Sequence, residues 1–424
     1  MTDQKVSGFS TRQLHVGTSA APATPRALPI HLTAGFTFDS FEQGVAHFGE
    51  GTGYGYTRIG NPTIDAVEAK LADLEGGTRA LLVGSGQAAV STAILALAGA
   101  GDHIVSSTHI YEGSRGLFLD LLPRLGISIT FVDDIANIDA WRAAITENTK
   151  VLFGESISNA ANLLFDVSAV AALGRECGIP LVVDNTFATP YLFRPLEHGA
   201  ALSVHSASKF LSGHGSVIGG VIVDGGTFDA SLHAARFAHL VAPSRLGGAS
   251  FAEKYGADTF TGYAKESVAP RLGPTISPLN AFLIAQGAET LSLRVREHSR
   301  QALALARYLA DHPAVESVDY VGLAGHPNHA LAQELLPRGY GSVFSFTLRG
   351  GRDAAAHVVN NVQTFTHMTH LGDVRSLVLH PESTSHAFRT PQEREEVGVH
   401  PGTLRVSVGL EEIDDLIADL DRVL

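Results

Sequence analysis

An α/β protein with a mostly parallel central sheet, followed by a smaller C-terminal α/β domain, is what this sequence predicts. Three observations carry the prediction. Between residues 66 and 272, short apolar runs at 80–83, 103–106, 128–132, 151–154, 180–183, 201–205 and 220–223 alternate with helical stretches. That alternation buries a parallel sheet beneath helices on both faces. A shorter second set fills 273–424: a helical pattern from Ser277-Pro278 to about His312 that Gly287 is expected to interrupt, strands at 342–348 and 404–408, and a helix at 411–423. Residues 1–65, rich in Thr, Pro, Gly and Phe with little periodicity, belong to neither set and read as an extended arm. The aperiodic stretch 228–273 reads as loops and short helices over the mouth of a site.

The 424 residues are 45% apolar and 17% charged, enough to bury a large core in two or three domains. A net charge of −13, with no basic stripe, argues against nucleic acid or an anionic membrane as partner. Cys177 is the one cysteine, which excludes an internal disulfide and a CxxC metal site and suits a reducing cytoplasm. Residues 1–17 lack the apolar centre of a signal peptide, and no run is long enough to span a membrane. Twenty histidines raise the question of a metal, but His205 with His214, and His326 with His329, lack a third ligand at a usual spacing and HExxH is absent, so no metal is expected.

The chemistry-bearing stretch is Val204-His205-Ser206-Ala207-Ser208-Lys209-Phe210. It sets one lysine at the end of an apolar strand, just before Gly213-His214-Gly215. Desolvation penalises an ammonium ion, so a buried lysine readily becomes the neutral amine that attacks carbonyls. Ser206 and Ser208, two apart and so on one face if the strand continues, offer hydroxyls to a phosphate. Asp184 ends the apolar run 179–183, where α/β sheets place ligands. It suits a pyridine nitrogen, although an aspartate after a strand is by itself more often a turn former or helix cap. Ser85, Gly86 and Gln87 lie between an apolar run and an alanine-rich helical pattern, which aims free N–H groups at an anion. Tyr111, after the β-like run 102–107, can stack on a ring or simply pack half-buried. Lysine, carboxylate, phosphate cradle and flat aromatic together describe a site for pyridoxal 5'-phosphate.

With these residues stated, the chain resembles the pyridoxal-phosphate enzymes of cysteine and methionine metabolism. The resemblance rests on Tyr56-Thr57-Arg58-Ile59-Gly60-Asn61-Pro62-Thr63, Ser85-Gly86-Gln87-Ala88-Ala89, Val183-Asp184-Asn185-Thr186, the lysine heptapeptide, and Leu404-Arg405-Val406-Ser407-Val408-Gly409-Leu410-Glu411, in that order. Gly99-Ala100-Gly101-Asp102-His103 and Gly372-Asp373-Val374-Arg375-Ser376-Leu377 resemble the O-acetylhomoserine sulfhydrylase branch. Methionine γ-lyases usually carry cysteine where this chain has Gly113.

The resemblance implies the aspartate aminotransferase-like fold, fold type I. It also implies Lys209 as the Schiff-base lysine and mobile acid and base, and Ser85, Gly86, Gln87, Ser206 and Ser208 around the phosphate. Tyr56 and Arg58 are implied to reach a neighbouring subunit's phosphate, so that residues 1–65 wrap a partner and the assembly is a dimer-built tetramer. Arg405 is implied to bind the substrate carboxylate, which a planar doubly donating cation suits. Asn159 is implied near the cofactor and substrate, and Tyr111 as an assisting acid. Two departures stand out. Relatives usually have proline after the asparagine, where this chain reads Asn159-Ala160-Ala161, and His370 occupies a place where a smaller polar residue near the substrate carboxylate is expected. The implied reaction is γ-replacement on O-acetyl-L-homoserine by sulfide or a thiol, giving homocysteine and acetate. Other γ-substitution or γ-elimination chemistry of the same family is the alternative. A catalytically silent binding subunit is disfavoured by the intact Lys209, Asp184 and Arg405.

Overall fold

The computed structural model describes residues 8–18, 24–159, 161–243 and 248–424. Parts of the expected arm, Ala160, and residues 244–247 of the stretch over the site lie outside the described residues.

A seven-stranded sheet occupies the middle of the chain. Its strands are β1 (Arg79–Val83), β2 (His103–Ser107), β3 (Ser128–Val132), β4 (Thr149–Glu155), β5 (Leu181–Asp184), β6 (Leu202–His205) and β7 (Gly220–Asp224), in the spatial order β1-β7-β6-β5-β4-β2-β3. Strands β3, β2, β4, β5 and β6 pair in parallel, and β7 runs antiparallel to both its neighbours. The central strands are buried on both faces, which is why they read as unbroken apolar runs rather than alternating ones. One face packs against a core that includes Val67, Leu71, Val183 and Phe210, the other against one that includes Val90, Ile94, Val182 and Val204.

Helix boundaries follow local chemistry. Asn61 caps helix Pro62–Glu75 through its side-chain oxygen, which accepts from Thr63 N at 3.0 Å, with proline at the first position and Gly76 at φ 81° closing the end. Ser85 caps helix Gly86–Leu97 in the same way, accepting from Ala88 N at 3.1 Å.

A second sheet, in the order β10-β11-β12-β9-β8, is built from β8 (Val315–Asp319), β9 (Val343–Leu348), β10 (Thr366–His367), β11 (Leu377–Leu379) and β12 (Thr403–Ser407). The sequence signals β9 and β12, whereas β8, β10 and β11 carry too short or too polar a pattern to stand out. The long helical pattern after Ser277 is two helices, Pro278–Ala288 and Leu291–Asp311, broken at Glu289-Thr290 rather than at Gly287. Gly287 sits inside the first because a Cβ there would fall 2.3 Å from Ser212 O and 2.5 Å from Leu211 O. The glycine lets this helix lie directly on the turn that carries Lys209. No helix among the described residues is long and apolar enough to cross a membrane.

Candidate active site

The carboxyl ends of three adjacent parallel strands present Glu155, Asp184 and His205 side by side. Glu155 is opposite Asp184 in register, and Asp184 is opposite Val204. Asp184 accepts a hydrogen bond from Thr186 N at 3.0 Å, and the Thr186 hydroxyl accepts one from Ser206 N at 2.8 Å. This fixes the carboxylate to the start of the following turn. Burial pushes both carboxyls above their ordinary range. Glu155 rises further, because the charge of Asp184 adds to burial there, whereas Thr186 and His205 pull Asp184 back. Glu155 also accepts from Tyr111 N at 2.5 Å.

Lys209 follows in the turn after β6. The strand ends at His205, so Ser206 and Ser208 are not neighbours on one strand face as the sequence suggests. Lys209 N bonds to Ser206 O at 3.1 Å and Gly213 N to Lys209 O at 2.8 Å, coiling the segment into successive turns. The two hydroxyls diverge as a result. Ser208 Oγ bonds to Gly219, donating to its carbonyl at 3.2 Å and accepting from its N–H at 3.0 Å. Ser206 faces Gly86, where a Cβ would lie 2.7 Å from Ser206 Cβ and 2.9 Å from its hydroxyl. The glycine thus permits the first turn of helix Gly86–Leu97 to meet Ser206. N–H groups of a first helical turn have no acceptor within the helix, and the Ser85 hydroxyl takes only that of Ala88. The side chain of Gln87 accepts from Ser114 Oγ at 3.3 Å.

Burial, with Arg405 nearby, lowers the Lys209 amine to about 8. Its Nζ lies 3.0 Å from His370 Nδ1. Burial and the cations Lys209 and Arg405 push His370 down to about 4, so the lysine faces a neutral imidazole. Arg405, fully buried on β12, donates to Asn159 Oδ1 at 3.2 Å and to the His370 carbonyl at 3.1 Å. Its Nε and the Nε2 of His370 are buried with no protein partner. The loop that displays Asn159 is closed by Ser158 N to Leu163 O at 2.9 Å and Leu163 N to Ser158 Oγ at 3.0 Å. Asn162, left-handed at φ 55°, ties it to β9 by donating to Val343 O at 2.6 Å.

Tyr111 is half exposed and lies over Gly113, where a Cβ would be 2.4 Å from the ring. A side chain at 113 would displace the ring from this position. Tyr56 and Arg58 form a separate group: the Arg58 guanidinium stacks on Tyr56 at 5.4 Å and donates to the Pro270 carbonyl, and neither bonds to the Lys209 cluster.

Sequence reasoning missed three participants. Glu155 ends a strand as Asp184 does, and the rule that picked one strand tip applies equally to its neighbour. Glu112, next to Tyr111, is gripped by Arg389 Nε at 2.6 Å, with the buried His386 at 3.7 Å; two hundred and more residues separate these partners, and nothing local signals them. Glu75 and His205 meet beneath the sheet, again across a long sequence separation.

This arrangement fits pyridoxal phosphate. Asp184 offers a part-buried carboxylate to a ring nitrogen, Lys209 is a part-buried amine whose one side-chain hydrogen-bond partner is neutral, and Gly86 opens a cradle against the hydroxyl of Ser206. Fold and site together define a pyridoxal-phosphate enzyme of the aspartate aminotransferase-like type. The family described as Cys/Met metabolism PLP-dependent enzyme matches residues 10–424, and the chain belongs to it. It is 41% identical over 420 residues to the O-acetyl-L-homoserine sulfhydrylase of Corynebacterium glutamicum, covering 98% of this chain and 96% of that one. It is equally 41% identical to the homocysteine synthase of Schizosaccharomyces pombe, covering 98% of each. Among solved structures, one described as an O-acetylhomoserine (thiol)-lyase from Campylobacter jejuni, bearing a pyridoxyl-lysine phosphate residue, superposes with a TM-score of 0.94 at 32% identity. The match covers 98% of this chain and 99% of that one.

Proposed function

We propose that the protein catalyses γ-replacement on O-acetyl-L-homoserine with sulfide, or a thiol, releasing acetate and forming L-homocysteine. The observation that carries this reading is that His370 joins the depressed Lys209 amine to the buried Arg405–Asn159 pair, while the strand beside the one leading to Lys209 ends in the Asp184 carboxylate. The similarity to relatives named for this reaction supports it.

Asp184 would hold the ring nitrogen, Ser85, Gly86, Gln87 and Ser206 the phosphate, and Tyr111 one face of the ring. Ser208 would act on the cradle only through Gly219. The bound cofactor supplies the electron sink that makes protons at Cα and Cβ removable. Lys209 Nζ, neutral above about pH 8, takes those protons and returns them. Arg405 and Asn159 orient the substrate carboxylate, with the unpaired Arg405 Nε supplying a further donor. The Tyr111 hydroxyl, at the open side, assists the departing acyl group. His370 lines the substrate side next to the lysine.

Residues 1–65 would form an arm on a partner subunit, 66–272 the cofactor domain, and 273–424 the C-terminal domain. The exposure of Leu32, Phe41 and Phe48, each at least 70% accessible, supports an arm that is covered in an assembly. In that assembly Tyr56 and Arg58 would reach the neighbour's phosphate, giving a dimer-built site and a tetramer, in the cytoplasm. His370 favours a second reading, a γ-substitution enzyme of the same family with a different acyl group or nucleophile.

A product assay separates these readings. O-Acetylhomoserine, O-succinylhomoserine and cystathionine are each supplied with and without sulfide. Homocysteine from the acetyl ester, dependent on sulfide, is the expected result, and keto acid with ammonia alone would overturn the transferase reading. Lys209→Ala should abolish both product and the borohydride-sensitive visible band.

A further inference from the structure

Tyr111, to which the proposed function gives one face of the cofactor ring, has little of its own to hold it in place. Its ring is half exposed, so packing on the side chain does not fix it. The helix it opens, Glu112–Gly116, is five residues long and carries glycine at 113 and 116. So short a helix with two glycines is marginal alone. The position of the ring therefore depends on what grips the residues around it. From the parallel sheet, Glu155 holds Tyr111 N, and the side chain of Gln87 meets Ser114 Oγ. The two charged side chains of the helix, Glu112 and Arg115, are held from elsewhere.

Both are engaged by the segment between β11 and β12, the strand that bears Arg405. Arg389 Nε donates to Glu112 Oε1 at 2.6 Å, and its Nη2 lies 2.6 Å from the same oxygen and 3.5 Å from the Thr108 carbonyl. Arg389 thus spans Tyr111, reaching residues on both sides of it. Three residues on, Arg115 Nη2 donates to Glu393 Oε1 at 2.7 Å. The Arg389 and Glu112 side chains are 3% and 17% accessible, against 19% and 34% for Arg115 and Glu393. The inner pair is the less screened and the costlier to break. The grip is itself braced: Arg394 Nη1 donates to the Arg389 carbonyl at 3.1 Å, and the second oxygen of Glu393 accepts from Thr390 N at 2.8 Å in the capping box of helix Pro391–Glu396. His386, 3.7 Å from Glu112, is pushed down to about 3 by burial and the cations Arg389, Arg405 and Arg394, which leaves Arg389 as the cation bonded to the carboxylate.

We propose that Arg389 is a positioning residue for Tyr111: through Glu112 and the Thr108 carbonyl it fixes the turn that presents the ring, from a segment that belongs to the second sheet. The inference rests on the reading of Tyr111 as the residue that stacks on the cofactor and assists the departing acyl group. Because the segment continues into the strand of Arg405, one loop sets both the ring and the guanidinium. Loosening the Arg389–Glu112 pair should therefore cost turnover more than substrate binding, which Arg405 and Asn159 would supply.

The test uses holoenzyme carrying pyridoxal phosphate, read by the circular dichroism of the cofactor's visible band and by kcat and KM for O-acetylhomoserine with sulfide. Tyr111→Ala sets the scale, with an altered band and a lower kcat. Arg389→Met and Glu112→Ala should each shift the band toward that of Tyr111→Ala and lower kcat roughly 10–100-fold, the scale of a misplacement near 1 Å, with KM within about threefold. Arg389→Lys should recover part of both. Combined with Tyr111→Ala, Arg389→Met should add little, because it acts through a ring no longer there. Asp419→Asn, which weakens the hold on the backbone N–H groups of Gln363, Thr364 and Phe365 far along the same part of the chain, should lower thermal stability and leave band and kcat unchanged. An unchanged band and kcat in both Arg389→Met and Glu112→Ala, or losses that multiply fully with that of Tyr111→Ala, would overturn the proposal and leave the pair a purely structural one. If Arg389→Met does not fold, Glu112→Ala alone decides. An unaltered band and kcat in Tyr111→Ala is a different outcome, and it would overturn the reading of Tyr111 itself.

Discussion

The two sides of the candidate site are built in opposite ways. On the cofactor side, Asp184, His205, Ser206 and Lys209 come from two adjacent strands and one turn, so backbone pairing and turn geometry alone bring them together. On the substrate side, Asn159 and Arg405 are 246 residues apart and His370 joins them from a loop, so the C-terminal sheet must dock correctly before the group exists. The cofactor side anchors its carboxylate to Thr186 and its turn to Gly219. The substrate side leaves Arg405 Nε and His370 Nε2 buried and unpaired, which costs stability until a ligand meets them. One side is suited to holding a group permanently, the other to releasing what it binds.

The sharpest way to break that contrast is Arg405→Lys. If the substrate side works by planar, multiple donation, a point charge on a flexible stem cannot replace it. The kcat/KM for O-acetylhomoserine should fall by roughly 10–100-fold, the value of a charge-assisted hydrogen bond or two. Cofactor affinity, set on the other side, should change little. Equal losses in both would mean that the two sides are not separable.

A second test addresses the lysine between them. Burial lowers Lys209 to about 8, whereas the unfolded chain binds that proton up to about pH 10.4. Between those values the folded state holds fewer protons than the unfolded one, so the cofactor-free protein gains stability as pH rises through the window and loses it as pH falls toward 8. Lys209→Met has no charge to bury. Its urea midpoint, compared with that of the unaltered protein across this range, should lack that rise.

His370 sharpens the comparison further, since its side chain touches Lys209 while its carbonyl holds Arg405. His370→Asn keeps a polar atom and removes volume on the substrate side. The ratio of kcat/KM for O-succinylhomoserine over O-acetylhomoserine should rise roughly tenfold, the scale on which a pocket discriminates a methylene or two. An unchanged ratio would place His370 away from the acyl group.

The same contrast explains what can be read without a structure. Strand positions, Lys209, Asp184 and the Ser85–Gly86–Gln87 turn are legible because each is defined by neighbours in sequence: an apolar run, then a turn, then a functional side chain. Arg405 is legible as a residue on the polar face of a strand whose other face is Leu404, Val406 and Val408, but its role comes from the resemblance. Glu155 was within reach of the same strand-tip logic. The contacts Glu75–His205 and Arg389–Glu112 were not, because a buried polar contact joins segments whose local patterns are ordinary: a helix end, a strand end and a loop. Gly287 shows the reverse error. Its composition signals a break, whereas the packing of its helix on Leu211 and Ser212 is what requires it.

The smallest predicted effect concerns the two serines, which local spacing treats as equivalents and the fold does not. Ser206 turns its hydroxyl toward Gly86 and the start of the helix, so Ser206→Ala should weaken cofactor binding by about 1 kcal/mol, roughly fivefold, with little change in thermal stability. Ser208 is buried and bonded twice to Gly219. Ser208→Ala strands the buried Gly219 N–H, whereas the Gly219 carbonyl keeps the Ser208 N–H at 3.3 Å, and should cost about 1–2 kcal/mol of stability while cofactor affinity stays within about twofold. Paired measurements of melting temperature and cofactor dissociation constant separate the two variants. If Ser208→Ala loses affinity as Ser206→Ala does, the hydroxyl leaves Gly219 when the phosphate binds, and the turn after β6 is a yielding part of the cofactor side.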